Sequence, residues 1–563
     1  MSPISFNQIP TNWREPGWLA EVDNTGANTG ASGGNRTIII GQRLPTGLVA
    51  AEATSALMRS EQQVKDAFGK GSMLHRQIRG FLYGNKTSEL YAIAVDDLPA
   101  GVRATGSIAI TGPATGSGTL HLYLGASLPA GHRAVGITNE DTAAEIATAI
   151  KEAINDYGDE LNSGHLTAGV WYEITARAEV TFTTDGAPNN LVGTIFQATG
   201  SSITLTATDK VKPISNDLAV FAAVAIATPT VVDITAKHKG TLGNGIDIRA
   251  NYYGELGGEK TPSGVALSIT AMAHGDGDPD IANVIAALGS TKYFAVINPF
   301  ADPSNLNKLA TEMDDRWGPM EQLYGHAWSS KKETVSNLGT FGNSRNDPAN
   351  TVFGNDKSPT PIEEILAACT AVAVASLEID PARPLHTLPV RYVLPPAVDD
   401  RFDKMENNTL LYDGISPLNV GSDGFVQLSK VITTYQVNPS GDPDNSYLDV
   451  TTRYTIQAFN EFNRAWVMSK YPRVKVVPDG TPIPQGHAAV TPKDLKGALA
   501  AAYDKLQKLL IVCNLKVYVD RLVVEIDTLN PRRVCIEANP ILVNGLDTIA
   551  FKNKFYLVFD EAA

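Results

Sequence analysis

Two short apolar runs, Ile38-Ile39-Ile40 and Leu90–Val95, stand on either side of two helix-patterned segments. Runs this short, with no polar alternation, describe strands covered on both faces. Between them Ser60 and Gln63 make a capping box for one helix, which Gly69 can close. Leu74, Ile78, Phe81 and Leu82 then fall on one face of the next. A strand–helix–helix–strand order calls for an α/β layer in which helices cover a sheet.

That texture stops after Asp96-Asp97. Residues 98–232 are rich in Gly, Thr, Ala and Ser and carry β-type runs at Ser107–Thr111, Thr119–Leu124, Trp171–Thr175 and Ile203–Ala207. One helix interrupts them: Thr142 and Glu145 form its capping box, and Ile146, Ile150 and Ile154 follow at helical spacing. This stretch is expected to be a β-rich domain inserted into the α/β layer and facing outward. The layer is expected to resume from 233 to 400, with strands at Ile246–Ala250, Val265–Thr270 and Tyr293–Ile297. Asp302-Pro303 and Thr360-Pro361 with Glu363 are helix starts there.

From 401 to 545 a C-terminal α+β core domain is expected. Its predicted elements are strands at Asn408–Tyr412, Gly424–Ser429 and Tyr447–Tyr454, a helix over Ile456–Lys470, and a helix from Thr491-Pro492 to Cys513. Val517–Asp527 and Arg533–Ala538 read as a hairpin around Asn530-Pro531. The whole is thus a multidomain α+β and α/β chain of mixed sheets flanked by helices, with extended N- and C-terminal arms. Residues 1–35 form the N-terminal arm, broken by Pro10, Pro16, Gly26, Gly30, Gly33 and Gly34, with one strand candidate in Trp18, Leu19, Ala20, Glu21 and Val22. Residues 546–563 form the C-terminal arm, with a strand over Phe555, Tyr556, Leu557, Val558 and Phe559. A lone strand needs an edge to pair with. By the residues alone, each can close its own sheet or join that of another copy.

Chemistry is scarce. With 46 Lys+Arg against 60 Asp+Glu the chain carries −14, the wrong sign for a general nucleic-acid coat. Cys369, Cys513 and Cys535 match no zinc or disulfide spacing, and the nine histidines show no paired spacing. Phe68-Gly69-Lys70-Gly71-Ser72 lacks the order of a phosphate loop. Asp276, Asp278 and Asp280 alternate like the start of a calcium loop, but the twelfth position is Ala287. No catalytic, cofactor or metal-binding residue is assigned, and neither a signal peptide nor a membrane-spanning run is read. One surface stands out on the helix from Lys493. Leu495, Leu499, Leu506, Leu510 and Cys513 share one face, opposite Lys493, Lys496, Lys505 and Lys508. The lysines are either a solvated face or a contact for an acidic partner.

Several stretches in shared order resemble the Mu-like family of phage contractile tail sheath proteins. They are Ile4-Ser-Phe6, Arg14-Glu-Pro16-Gly17 and Glu21-Val-Asp23-Asn24 near the start. Phe68-Gly-Lys-Gly-Ser-Met-Leu74, Glu89–Val95 and His238-Lys-Gly240-Thr-Leu-Gly-Asn244-Gly-Ile-Asp247-Ile-Arg249 follow, and Val523-Glu525-Asp527, Asn530-Pro531 and Phe551–Phe559 close the series. The resemblance implies a non-enzymatic virion subunit, assembled in the host bacterial cytoplasm. It polymerises in stacked, by resemblance hexameric, rings around a tail tube protein, with baseplate and tail terminator proteins as further partners and no direct nucleic-acid or membrane contact. It also implies exchange of the arm strands between copies, contraction from a metastable state, and Lys493, Lys496, Lys505 and Lys508 as tube-contact candidates. Two alternatives remain open: the sheath of a phage-like bacteriocin or secretion system, and a β-rich adhesin or carbohydrate-binding protein, for which Tyr123, Trp171 and Tyr172 are too scattered to form a binding cluster.

Overall fold

The computed structural model describes residues 35–555. The arm strand Trp18–Val22, and Tyr556–Phe559 of the C-terminal strand, lie outside the described residues. Phe555 is described; it is exposed and belongs to no strand.

The chain is built around a seven-stranded sheet. Its order from one edge is Val426–Leu428, Ser416–Val420, Asn350–Asn355, His326–Lys332, Ala295–Ile297, Arg36–Gln42 and Glu89–Val95. All neighbours run parallel except the Val426–Leu428 edge. Pleating sends alternate residues of one strand to opposite faces. Ile39 joins the core beneath the helices Met73–Gly84 and Ile362–Ile379, whereas Ile38 and Ile40 join Val284, Leu288, Leu309 and Met313 on the other side. Covering on both faces is why these strands carry uninterrupted apolar runs.

Between Val95 and Ala295 the chain leaves this sheet and builds antiparallel layers. Val220–Val224, Val231–Lys239, Arg103–Thr111 and Ala266–Ala273 form a four-stranded sheet; Ile248–Ala250, Gly118–Ser127 and Ala130–Ile137 form a three-stranded one. The helix Ala143–Asn155 packs Ile146, Ile150 and Ile154 into the core between them. Its capping box is complete, Thr142 accepting from the Glu145 N–H and Glu145 from the Thr142 N–H. A smaller sheet, Lys210–Pro213, Trp171–Ala176 and Ile195–Gln197, has its own core. The strands expected to return to the α/β layer at 246–250 and 265–270 pair instead with strands of the β-rich stretch, at Ile248–Ala250 and Ala266–Ala273. The seven-stranded sheet takes up the chain again only at Ala295.

The C-terminal third departs from four sequence expectations, the last being that the expected strand Val517–Asp527 begins as helix. Asn408–Tyr412 lies in a helix, Lys404–Tyr412, started by a complete Asp403–Glu406 capping box. Tyr447–Tyr454 is no strand either: a helix runs from Val450 to Lys470 and buries Val450, Arg453, Tyr454 and Gln457 at helical spacing. The helix opened by Thr491 ends at Lys508, because Leu510 takes a φ of 56°. The chain then turns through Val512–Cys513, a short helix Leu515–Arg521, and the hairpin Val523–Ile526 with Val534–Glu537. Phe459, Leu499, Tyr503, Leu506, Tyr518 and Leu522 form a separate small core under that hairpin.

Candidate functional site

The motif-like residues hold the architecture together. Gly69 (φ 87°) ends one helix, Ser72 caps the next, and Gly71 (φ 81°) leaves room for the Lys237 ammonium beside its backbone. His238 Nε2 accepts the Met73 N–H at 3.0 Å, so its Nδ1 proton faces Asp97 at 2.8 Å. Asp97 also accepts the Lys239 N–H at 3.1 Å. Burial alone would raise the Asp97 pKa, but His238 and Arg103 outweigh it and hold the carboxyl below its usual value. These contacts latch the β-rich layers to the first helices of the α/β layer.

A buried ion cluster ties together the two helices that cover one face of the seven-stranded sheet. Arg76 reaches Glu363 at 2.8 Å and Glu364 at 2.7 Å, all three buried. Burial opposes the guanidinium's charge, yet the two carboxylates keep its pKa above the ordinary value. The Tyr392 hydroxyl donates to Glu364 at 2.5 Å. Arg79 and, from the strand Ala130–Ile137, Arg133 grip Asp217 at 2.9 and 3.0 Å. Thr360 does not cap the helix after Pro361; its hydroxyl donates to the Ala126 carbonyl at 2.8 Å.

The expected calcium-like acids do not converge. Asp276 accepts its neighbour Gly277's N–H, Asp278 accepts from the Thr241 N–H and hydroxyl, and Asp280 pairs with Lys308 at 2.6 Å. A cleft of about 1050 Å³ opens at the C-terminal ends of the parallel strands, where α/β sheets hold ligands. Several of its polar groups are committed to the fold. Lys332 donates to the Gly245 and Ser358 carbonyls, while Asp302 and Thr334 cap helices. A hydroxyl–carboxylate pair in its lining, Thr241 with Asp278, fastens the loop, because Asp278 accepts the Thr241 N–H as well.

What the molecule leaves open lies at the C-terminal end. The hairpin pairs Val523 with Glu537, Val524 with Ile536, Glu525 with Cys535 and Ile526 with Val534. It forms a sheet of only two strands, so among the described residues both outer edges lack a partner. Val524 packs on the helix Pro492–Lys508 and its core, while Val523 and Ile536 remain exposed. A free two-stranded ribbon is at best marginal in water, and this one is held from one side only. Beyond it, Ile541–Leu542 pairs with Val512–Cys513, and Asp547 is tied to Lys430 at 2.5 Å. After that anchor Ile549, Phe551 and Phe555 are exposed by 77%, 82% and 81% and form no element.

The lysine face is partly engaged. Lys505 lies 4.2 Å from the centroid of the Trp466 ring and Lys508 pairs with Asp504 at 2.6 Å, whereas Lys493 is exposed and Lys496 half-buried. On the opposite side Leu495, Leu499 and Leu506 are buried as expected, but Leu510, past the helix end, is exposed.

Comparison with known proteins places these features in a family. The family model of the phage tail sheath protein central domain matches residues 275–434. The Mu-like prophage FluMu tail sheath protein of Haemophilus influenzae is 33% identical over 556 residues, covering 98% of this chain and 100% of that protein. Among solved structures, a sheath tail protein from Desulfitobacterium hafniense is similar at 13% identity over 96% of this chain and 97% of its own, with a TM-score of 0.44. One from Listeria innocua is similar at 10% identity over 92% and 97%, with a TM-score of 0.41.

Proposed function

Since the chain belongs to the Mu-like family of phage tail sheath proteins, we propose that its open C-terminal hairpin is the docking edge by which copies polymerise into the sheath of a contractile tail. The protein is a structural subunit of that sheath and a component of the virion. The observation that carries the docking role is a two-stranded ribbon whose two edges are open among the described residues, on a chain that also carries an exposed apolar tail. An added strand satisfies a row of backbone donors and acceptors, and alternate side chains supply specificity. Past the Asp547 anchor, the eight residues 548–555 span about 26 Å when extended, enough to leave their own body and reach a neighbour.

In this reading Trp18–Val22 and Phe555–Phe559 are the strands supplied, each to another copy's hairpin. Head-to-tail contacts that do not close generate a helical array, here of stacked hexameric rings around the tail tube. Contraction is rotation of nearly rigid bodies between two packings, with the exchanged strands as links that survive the change. The free energy is stored by assembly on the baseplate in the host cytoplasm, with the terminator capping the far end, so no substrate turns over. Lys493 and Lys496, the two of the four lysines without a partner named above, are the stronger candidates for touching the tube.

Deleting 548–563, which spares the Asp547 anchor, tests the docking role. The truncated chain is expected to keep the thermal midpoint of the full chain while forming no striated cylinders in negative-stain images. Cylinders of normal length and striation from the truncated chain would end the proposal.

A further inference from the structure

Two histidines of one hairpin and a glutamate far along the chain meet in the β-rich layers. His121 is on the strand Gly118–Ser127 and His132 on its antiparallel neighbour Ala130–Ile137. Tyr123 is directly opposite His132, and His121 is two residues before Tyr123, so all three side chains share one face. The imidazole planes are nearly parallel, 12° apart, and His121 Nδ1 is 2.9 Å from His132 Nε2. Glu259 comes from the loop after the turn Glu255–Gly257 and is 7% exposed. Its Oε1 is 3.8 Å from His121 Nδ1.

The carboxylate is held before any ligand arrives. Glu259 Oε1 accepts a short hydrogen bond from the Tyr123 hydroxyl, and Oε2 accepts the Tyr253 N–H at 3.0 Å. Outer hydrogen bonds of this kind orient metal-binding carboxylates. A buried carboxylate needs a positive partner, and the adjacent Lys260 turns away to Glu255 at 3.1 Å. Two imidazole nitrogens at hydrogen-bond distance can share one proton, but a metal ion uses both lone pairs. One donor atom from each of the three residues lies within 4.8 Å of the others. Bonds of ~2.0–2.1 Å to a tetrahedral ion put its ligands about 3.3 Å apart, between the 2.9 and 3.8 Å separations found here.

We propose that His121, His132 and Glu259 form a binding site for a divalent transition metal of the zinc class. Two nitrogens and one carboxylate suit such an ion, and hard cations such as calcium prefer all-oxygen cages. His132 is exposed, which leaves the fourth position to water. Bound metal would clamp the loop 251–261 to the hairpin. The same loop reaches the body of the molecule through Tyr252, whose hydroxyl donates to the Pro395 carbonyl at 2.7 Å. The ion would therefore stiffen the seat of the β-rich layers on the α/β layer.

The test uses the full, untagged chain, stripped with chelator and dialysed, then titrated with CoCl2 by visible absorption and with ZnCl2 by calorimetry. One equivalent of Co2+ with four-coordinate ligand-field bands, displaced by Zn2+, is expected. Tyr123→Phe should weaken zinc binding about 10–100-fold by releasing the carboxylate, and His132→Ala should weaken it further. The exposed His165→Ala should leave it unchanged. No stoichiometric cobalt or zinc binding, undiminished binding by His132→Ala, or equal affinity for Ca2+ would overturn the assignment.

Discussion

The seven-stranded sheet and the C-terminal hairpin are both written in short runs of Val and Ile, yet they end in opposite states. In the sheet Ile38, Ile39 and Ile40 are sealed on both faces, and five of the seven strands have a neighbour on each side. In the hairpin Val523 and Ile536 meet water, and both edges are open among the described residues. Helices make the difference. Two layers of them cover the sheet, and only the helix Pro492–Lys508 and its small core support the hairpin. The first region can complete its fold within one chain. The second completes its hydrogen bonding by recruiting a strand, and an open edge that proteins usually hide is what a polymer subunit has to display.

The largest effect should come from attacking the closed region. Arg76→Met leaves Glu363 and Glu364 buried side by side, with only a longer 3.9 Å contact from Arg79 to Glu364. Removing one partner of a buried ion cluster costs about 3–5 kcal/mol, so chemical denaturation should show a loss of that order. Adding Glu363→Gln and Glu364→Gln should restore part of it, because the neutral amides leave no unpaired charge. A single substitution within about 0.5 kcal/mol of the parent would mean that the cluster does not hold the two helices together.

Next in size is a slope instead of a step. Lys237 is buried and donates to the Asn216 carbonyl at 2.9 Å. Burial pushes its pKa down to about 7, opposed by Asp217 and aided by Arg76, Lys70 and Arg133. The unfolded chain holds this proton up to the ordinary value of 10.5, so between pH 7 and 10.5 unfolding takes up a proton and stability rises with pH. Below pH 7 both states are charged and the burial penalty applies in full. Lys237→Met should remove a contribution of about 1 kcal/mol per pH unit across that window. Unfolding midpoints of the two proteins that stay parallel from pH 7 to 10 would show that Lys237 keeps its charge when buried.

How far these regions could be read from sequence follows from how local their determinants are. Ile38-Ile39-Ile40, the Thr142–Glu145 box and Asp302-Pro303 each act within one element, and each formed the element it announced. The hairpin around Asn530-Pro531 was legible for the same reason, although Leu515–Arg521 turned its expected first half into helix. Val450-Thr-Thr-Arg-Tyr454 misled because its β-branched residues favour strand in isolation, while burial of Val450, Arg453, Tyr454 and Gln457 favours helix. Asn408–Tyr412 misled because the start signal, Asp403 with Glu406, lies upstream of the run taken for a strand. The cluster His121, His132 and Glu259 was out of reach: its spacing fits no metal motif, and it exists only through the register that sets Tyr123 against His132. A register reading of that hairpin would have brought the two histidines together, but not Glu259.

The smallest effect on the lone chain is the one that decides between the two regions. Ile536 is 45% exposed at the rim of the hairpin, opposite Val524. Slightly more than half of Ile536 is covered, and a lysine stem keeps part of that contact, so Ile536→Lys should cost the unassembled chain no more than about 1 kcal/mol. A charged edge is nevertheless a standard obstacle to strand addition, and an incoming apolar strand would have to cover the ammonium. Polymerisation should therefore fail although folding does not. Leu256→Lys is the control, since Leu256 is fully exposed but lies in a turn of the β-rich layers, away from any strand edge. If both variants form cylinders like the parent, the hairpin is not the docking edge. If both fail, solubility and not edge chemistry governs assembly. Failure of Ile536→Lys alone would tie the open region to polymerisation by a change the closed region never registers.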